Sequence, residues 1–561
     1  MFLLLQGPPG YRRSSAKEIL TGLGFTVKTE DCPTNRFGEI SLQILEGKKN
    51  PLQINFYGQG PIQIREAISA HITWQDIELP LFTPFIEKLP YPHCLPSFRL
   101  EHYKGEVPAV YLVSQNHYLV PADIFGEAGA LLFLVGCEKW SKDRHQRLPD
   151  KAHLPLRLGF TEKAVVNRIA QFILELLSTL CTRHGIILPR LLPWPYSAPM
   201  AGAITFDLDL FRSYQRLSSF IEPLYHLYRR NFKEIPKSLS SFLAPLSAEN
   251  KAHFNFESIF SSLSEIGARA TFFLASAHAG RRHPLDPDYH LDEPVARRAI
   301  MAFKKNRGEI ALHSGYQALY DENKLNAQKN YLQEVTGRQV HGNRTHYLRL
   351  NYPQSFHLLT QESFDYDSSL GFSTAASFRT GYCLPYHPLP TETDQQLLEM
   401  APIAMDTALF HHLKLKGEQA RALVNRLTEE VKRYSGLGVY IFHDFYFSGE
   451  FPEMQTTFQH TISKLNRLGA WLVPLEEINN WWRKRTGVTL KATRKKRGWE
   501  VTVIPKESVD GLGLVLLGKP RGRVTGNIGN ERFSQRYSAD NPILLPPLGP
   551  DRTAILRLEE Y

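Results

Sequence analysis

The chain of 561 residues is too long for one hydrophobic core, and its length predicts about three domains. Apolar residues at 42% and charged residues at 22% are ordinary globular values, which exclude disordered and fibrous classes. The net charge of +10 leaves two interpretations open, a surface for anionic partners and an ordinary basic surface.

Cysteine usage and the length of apolar runs indicate the cellular compartment of the protein. The 5 cysteines are scattered and form no C-x-x-C pair, so neither a disulfide framework nor a cysteine zinc site is expected. The first residues lack the basic region of a signal peptide, and the apolar run 128–136 is far short of the roughly 20 residues of a membrane-spanning helix. We therefore expect a cytoplasmic protein without a transmembrane segment.

Residues 1–190 are predicted to form an N-terminal α/β domain of unassigned function. Short strand-like runs alternate with loops, and "EKAVVNRIAQFILELLSTLC" repeats apolar residues at helical spacing. Prolines at 189, 193, 195 and 199 follow, and they predict an extended linker.

Residues 201–485 alternate short apolar runs with helical patterns such as 294–306 and 417–435, which is typical of a largely parallel α/β sheet or barrel. Segment 212–250 contains an amphipathic pattern that predicts a helical insert. Residues 487–561 predict a small β domain, in which "VTLKATRKKRGWEVTVI" has the pattern of a hairpin with a basic turn.

Four apolar runs of the middle domain end in chemically capable side chains. These are Asp207 and Asp209, His313 and Ser314, Arg344 and His346, and His443 and Asp444. Ligands and catalytic groups lie beyond the carboxyl ends of strands in parallel α/β sheets and barrels, so we expect the four pairs at one site.

The stretch "ITFDLDLF" places two carboxylates in a predicted core strand. Residues i and i+2 of a strand face the same side, and two like charges that lie close need a cation or a shared proton. The pattern predicts a divalent metal held by one carboxylate with histidine, the other carboxylate being left as a base. The alternatives are a helix N-cap for the Asp-x-Asp pair and a structural role for His313.

The order T-F-D-x-D, A-T-F-F, H-S, R-x-x-Y and apolar-apolar-H-D over residues 201–480 resembles the polysaccharide deacetylases of carbohydrate esterase family four, the NodB homology domain. The resemblance implies a distorted (β/α) barrel and metal-dependent removal of acetyl groups from N-acetylated sugars. It implies Asp207 as the base that activates water and His443 as the general acid. It also implies metal ligation by Asp209 and His313, stabilisation of the ionised base by Arg344, an oxyanion contact from the N–H of Tyr347, and orientation of the acid by Asp406.

The sequence departs from the family at Gln317, where a second histidine ligand is expected. His346 lies two residues after Arg344, so an extended strand end would turn both side chains the same way. We therefore predict the ligand set Asp209, His313 and His346, with zinc as the first choice of metal. The alternative is that His346 packs in the barrel mouth or binds substrate.

The stretches "FDYDSSLGF", "FRTGYCLPY" and "MDTAL" resemble a subgroup whose deacetylase-like domain follows a domain of unassigned function. Its members look like enzymes of bacterial surface-polysaccharide clusters. Arg379 and Ser314 are predicted to contact the sugar, and the alternative for Arg379 is a structural pair with Asp365 or Asp367.

The sequence as a whole predicts a metal-dependent hydrolase that removes N-acetyl groups from a glycan or glycan precursor. The alternatives are a catalytically inactive deacetylase-like carbohydrate-binding protein and a non-enzymatic scaffold. The expected partner is an N-acetylated carbohydrate and not a nucleic acid. The basic stretch 483–498 adds possible peripheral contact with anionic glycan or lipid headgroups.

Overall fold

The structure is a computed structural model of the 561-residue chain. It describes residues 2–31, 40–45, 51–58, 61–75, 77–87, 89–209, 256–277, 283–287, 289–390, 396–447, 451–519, 521–538 and 541–559. The predicted helical insert in 212–250 lies outside the described residues.

The N-terminal part contains a mixed seven-stranded sheet in the order β2-β1-β3-β4-β11-β10-β7 and an antiparallel four-stranded sheet in the order β6-β5-β8-β9. The strands are β1 Phe2–Gln6, β2 Val27–Glu30, β3 Ile40–Leu45, β4 Leu52–Phe56, β5 Ala70–Trp74, β6 Ile77–Leu81, β7 His93–Cys94, β8 Arg99–His102, β9 Gly105–Pro108, β10 Tyr111–Ser114 and β11 His117–Val120. The helices are Tyr11–Gly22, Ile124–Leu132, Leu154–Arg157 and Val165–His184, with 3-10 turns at Cys137–Lys139 and Asp150–Ala152.

Helix Val165–His184 confirms the predicted amphipathic helix. Most of its apolar residues from Val165 to Leu180 are buried. Gly185 caps its C-terminus with a φ of 62°, a left-handed conformation that favours glycine. Among the described residues it is the one helix long and apolar enough to cross a membrane, and 67% of its most apolar window is buried inside the protein. Such burial is typical of a core helix.

The proline-rich stretch after this helix is not the extended linker that the sequence predicts. Leu188–Leu191 forms β12, which pairs antiparallel with β24 (Gly513–Leu517), and Trp194 is fully buried. Pro189 is accommodated because β12 is an edge strand of the sheet β12-β24-β27, with β27 at Ile543–Leu544. Proline spacing predicts extended backbone, but it does not show what that backbone pairs with.

The described residues between 201 and 486 contain a sheet of nine strands in which all pairings are parallel, as expected for an α/β fold. The order is β18-β17-β16-β15-β14-β13-β20-β19, and β21 pairs with β13. The strands are β13 Ala201–Leu208, β14 Ala270–Ala275, β15 Glu309–Ser314, β16 Gly342–Thr345, β17 Tyr366–Asp367, β18 Leu398–Glu399, β19 Ala404–Met405, β20 Leu437–His443 and β21 Trp471–Leu472.

Helices connect these strands and cover the sheet. The predicted helices 294–306 and 417–435 are present as Pro294–Lys305 and Gly417–Arg433. The others are Phe256–Ser264, Glu322–Thr336, Gln354–Gln361, Pro452–Arg467 and Leu475–Thr486, with short 3-10 or π turns at Pro195–Ser197, Ala318–Tyr320, His346–Leu348, Ala408–His412 and Asp444–Phe447. All residues of β13 and β14 are buried, because both faces of the sheet are covered.

The chain path shows that this sheet is curled. Strands β18 and β19 are its two edges, and in a flat sheet seven strand spacings of about 4.8 Å would separate them by about 34 Å. Only the residues between Glu399 and Ala404 connect the edges, and five extended residues span at most about 18 Å. The sheet therefore bends into an open barrel, which agrees with the predicted distorted (β/α) barrel and brings its strand ends together.

The C-terminal part contains an antiparallel sheet in the order β22-β23-β28-β25-β26. Strands β22 Thr489–Lys495 and β23 Gly498–Ile504 are the predicted hairpin, with Lys496 and Arg497 in its turn. The remaining strands are β25 Gly522–Ile528, β26 Glu531–Tyr537 and β28 Ala554–Glu559. One continuous cluster of buried apolar residues extends through all three parts of the chain.

Candidate metal and catalytic site

The register of the parallel strands brings the predicted residues to one edge of the barrel. Asp207 on β13 lies opposite His443 on β20, and His313 on β15 lies opposite Arg344 on β16. Strand β14 joins β13 to β15. The carboxyl ends of these strands therefore form one site, as the sequence predicts.

Three side chains at this edge form a candidate metal centre. Oδ1 of Asp209 lies 3.2 Å from Nε2 of His313 and 3.5 Å from Nε2 of His346. One ligand atom from each of the three residues lies within 4.8 Å of the other two. One carboxylate and two imidazoles are a donor set that suits zinc, with further positions left for water or substrate.

The orientation of His313 fits a metal ligand. Its Nδ1 lies 3.0 Å from the carbonyl oxygen of Arg344, which only accepts, so Nδ1 carries the proton and Nε2 presents its lone pair. Nε2 of His313 and Oδ1 of Asp209 are buried and make no hydrogen bond within the part of the chain that the structure describes. Buried polar atoms without partners are costly, and a cation between them would satisfy both.

Electrostatics favour the ionised carboxylate in this centre. Burial opposes ionisation of Asp209, but the imidazoles of His346 and His313 outweigh burial and hold its pKa well below the usual range. Burial likewise opposes protonation of His313, yet the carboxylates of Asp207 and Asp209 raise its pKa. Without a bound cation, the carboxylates and the imidazoles of the site are therefore strongly coupled.

Asp207 has a different environment from Asp209. It is buried, and its Oδ1 accepts a hydrogen bond of 2.8 Å from Nη1 of Arg344. Arg344 is itself fully buried and donates further to the hydroxyl of Thr205 at 2.7 Å and to Ser368 at 2.8 Å. Because both side chains are buried and hydrogen-bonded to each other, Arg344 holds Asp207 in one position.

His443 is held by Asp406. The backbone N–H and Nδ1 of His443 lie 2.7 Å and 2.6 Å from the two carboxylate oxygens of Asp406, which is buried. Burial lowers the pKa of His443, but the carboxylates of Asp406, Asp209 and Asp207 outweigh it and raise the pKa to about 10. The ring is therefore protonated at neutral pH, with Nε2 3.7 Å from Oδ2 of Asp209.

Tyr347 directly follows the candidate ligand His346 in the turn after β16. Its backbone is left-handed, with φ 62° and ψ 13°, and 39% of the residue is exposed. It therefore lies at the open side of the site, next to the metal centre.

The other two predicted substrate contacts are buried. Ser314 has no exposed surface, and its hydroxyl makes no hydrogen bond among the described residues. Arg379 is 5% exposed and donates to the carbonyl of Gly371 at 2.6 Å and to Nε2 of His153 at 2.9 Å. The burial of both argues against direct contact with a sugar.

Neither alternative partner predicted for Arg379 is bonded to it. Asp365 pairs with Nδ1 of His341 at 2.6 Å, and Asp367 accepts from Asn343 at 2.7 Å. Arg379 instead joins a barrel loop to the N-terminal part through His153. No sequence pattern indicates this partner, which lies 226 positions away.

Gln317 does not belong to the ligand set, and its side chain is bonded to a neighbouring helix. Its Oε1 accepts from Nζ of Lys324 on helix Glu322–Thr336 at 2.5 Å. The side chain is thus already bonded, and His346 is the second imidazole of the centre.

Several residues at the site were not predicted. His145 and Arg147 of the N-terminal part contact Tyr347, and their place in a loop far from the barrel motifs gave no signal. Asp444 was recognised only as a strand-end residue. Burial raises its pKa well above the usual range, and the charge of Asp209 adds to the increase.

Comparison with known proteins adds a structural likeness. No family model matches the sequence, and no curated protein matches it. A protein from Mycobacterium smegmatis assigned as a polysaccharide deacetylase is similar over 55% of this chain and 98% of its own, with 19% identity and a TM-score of 0.35. One assigned in the same way from Pseudomonas aeruginosa PAO1 is similar over 52% of this chain and 94% of its own, with 17% identity and a TM-score of 0.36.

A CE4 family pseudoenzyme from Bacillus anthracis is similar over 50% of this chain and 65% of its own, with 10% identity and a TM-score of 0.27. About half of the chain is similar to two proteins assigned as polysaccharide deacetylases and to one CE4 family pseudoenzyme. Because the TM-scores lie below 0.5, the geometry of this chain's own side chains carries the chemistry.

Proposed function

We propose that the protein is a metal-dependent hydrolase that removes N-acetyl groups from a glycan or glycan precursor in the metabolism of bacterial surface polysaccharides. One observation supports this most. A single edge of the barrel combines the ligand set Asp209, His313 and His346 with a carboxylate held by a buried arginine and an imidazole held by a buried carboxylate. Amide hydrolysis needs these three functions in one place.

Asp209, His313 and His346 would hold the metal, with zinc as the first choice. A bound divalent metal polarises the amide carbonyl and lowers the pKa of water to about 7. Asp207 then accepts the proton of the attacking water as the C–O bond forms. Arg344 holds Asp207 in place for this step, and the 2.8 Å hydrogen bond between them supports that role.

His443 supplies the proton that the leaving amine needs as the C–N bond breaks. Nδ1 donates to Asp406, which leaves the second proton of the imidazolium on Nε2. The carbonyl oxygen gains negative charge in this step, and we assign its stabilisation to the backbone N–H of Tyr347. The products are acetate and a glycan with a free amine.

Acetate release from a panel of N-acetylated glycans and lipid-linked sugars tests the proposal. Purified protein loaded with zinc should release acetate, and treatment with a chelator should abolish the release until metal is restored. Metal-loaded protein that binds N-acetylated glycans but releases no acetate is the carbohydrate-binding alternative. The predicted cytoplasmic location, and contact of 483–498 with anionic glycan or headgroups, stay predictions.

A further inference from the structure

A loop of the N-terminal part lies against the turn that carries His346 and Tyr347. Nη1 of Arg147 donates to the carbonyl oxygen of Tyr347 at 2.6 Å, across 200 positions of sequence. The ring of His145 stacks on the ring of Tyr347, with centroids 4.9 Å apart and planes 27° apart. Residues 143–147, which we call the positioning loop, thus contact Tyr347 both at its carbonyl and at its side chain.

The backbone of Tyr347 has an unfavourable conformation that contacts of this kind stabilise. Its φ of 62° lies in the left-handed region, which costs free energy for a residue with a Cβ, and Leu348 follows with φ 50°. Conformations of this kind persist only where the surroundings fix them. When the carbonyl and the side chain of Tyr347 are both held, the direction of its N–H is held as well.

The positioning loop is itself well anchored. Asp143 accepts hydrogen bonds from the backbone N–H of His145 at 2.8 Å and from Nε of Arg147 at 2.7 Å. Nε of Arg349 donates to the carbonyl of His145 at 2.6 Å, and the hydroxyl of Tyr316 lies 3.1 Å from Nδ1 of His145. The loop is therefore tied to the barrel on both sides of its contact with Tyr347.

We propose that Arg147 and His145 are positioning residues of the N-terminal part that hold Tyr347 left-handed, so that its N–H faces the oxyanion of the reaction. This inference rests on the proposed function. A donor fixed before the reaction is effective because no free energy is spent on orienting it as charge develops. The N-terminal part is thereby a component of the catalytic site.

Arg147→Gln tests the inference, with Arg147→Lys beside it and Arg426→Gln as a matched control. Arg426 also joins a barrel helix to the N-terminal part, through Glu162 at 2.6 Å and 3.0 Å, but it lies on the exposed side of that helix. We expect Arg147→Gln to lower kcat about 10- to 100-fold, a part of the loss that follows removal of an oxyanion donor. KM, zinc affinity and Tm should stay close to those of the parent.

The lysine variant should recover part of kcat, since its ammonium can still donate to the carbonyl of Tyr347, and the control should match the parent. A second readout needs neither metal nor activity. The backbone N–H groups of Arg349 and Leu350 are hydrogen-bonded within the turn, to the carbonyls of His346 and Leu348. In metal-free Arg147→Gln, hydrogen exchange at these two amides should be at least about tenfold faster, and in Arg426→Gln it should be unchanged.

The two readouts separate the inference from the proposed function. An active parent whose Arg147→Gln variant keeps its kcat overturns the inference and leaves the deacetylase activity standing. Unchanged exchange at Arg349 and Leu350 overturns it as well. If the parent is inactive but its Arg147→Gln variant shows faster exchange, the proposed function is contradicted. The positioning of Tyr347 by Arg147 is then still supported.

Discussion

Asp207 and Asp209 show how two carboxylates two positions apart come to differ. Asp207 is paired with the buried guanidinium of Arg344, whereas Asp209 faces the imidazoles of His313 and His346. A guanidinium keeps its charge permanently and cannot leave the site, so Asp207 has a fixed cationic partner without a metal. Asp209 instead has partners that can turn their lone pairs toward a cation. The two side chains therefore have separate roles.

Replacement of each carboxylate by its amide tests this separation. Asp207→Asn should abolish turnover but retain most of the bound metal, because the ligand set is untouched. Asp209→Asn should lose both turnover and metal. Metal content is measured by elemental analysis of the purified variants, and equal retention of metal in the two variants would contradict the assignment.

The pair formed by His443 and Asp406 sets the pH at which the general acid loses its proton. The Asp406 carboxylate helps to raise the pKa of His443 from 6.5 to about 10, so the acid is protonated at neutral pH and loses its proton only in alkaline solution. Asp406→Asn removes that charge, and the alkaline limb of the kcat/KM profile should move to lower pH.

His443→Ala should lower kcat about 10²- to 10⁴-fold with metal content unchanged.

His443→Gln serves as the matched control, since it preserves size and hydrogen bonding but cannot donate an acidic proton. It should be as inactive as the alanine variant. An alkaline limb that stays at the same pH in Asp406→Asn would mean that another group limits the rate there.

At the scale of elements, strand β16 and the turn that follows it supply or orient most residues of the site. Arg344 on the strand fixes Asp207, its carbonyl orients His313, and the following turn supplies His346 and Tyr347. Strand β15 ends in a turn whose Gln317 is bonded to Lys324. The second imidazole of the site, that of His346, comes from the turn after the neighbouring strand.

His346→Ala should weaken metal binding by at least about tenfold, because catalytic zinc sites usually need three protein ligands. Gln317→Ala is the matched control, and its metal affinity should equal that of the parent. Affinity is measured by competition with a chromogenic chelator. If the two variants bind metal equally well, His346 is not a ligand.

The strand ends of the site could be predicted from sequence for a physical reason. Apolar runs that end in Asp207, His313, Arg344 and His443 mark parallel strands, and the carboxyl ends of such strands meet at one edge. The contacts of loops could not be predicted in this way. Arg379 was assigned to a sugar but bonds His153, and the positioning loop reaches Tyr347 only through tertiary folding.

At the scale of the whole molecule, the three parts of the chain meet around the buried Arg485 on helix Leu475–Thr486. It donates to the carbonyls of Gly22 and Leu192 at 2.8 Å each, and burial lowers its pKa to about 9. Gly22 belongs to the first helix and Leu192 follows β12, which pairs with the C-terminal β24. One buried side chain thus joins the barrel to the first helix and to the segment that continues from β12, the partner strand of the C-terminal part.

Arg485→Met should therefore destabilise the whole protein and not one part of it. Loss of the guanidinium removes the donor from the buried carbonyl of Gly22, at about 1–3 kcal/mol, and from the partly buried carbonyl of Leu192. Calorimetry should show one cooperative unfolding transition at a lower temperature. Lys484→Met, at an exposed position of the same helix, is the control and should leave the transition unchanged. Separate unfolding of one part in Arg485→Met would contradict a shared core.

The central claim is that Asp209, His313 and His346 hold a catalytic metal. Anomalous diffraction at the zinc edge from crystals of the zinc-loaded protein tests this most directly. The account predicts one strong peak at about 2.0–2.2 Å from an oxygen of Asp209 and from Nε2 of both histidines. A peak elsewhere, or no peak at this site in crystals grown with excess zinc, would contradict it.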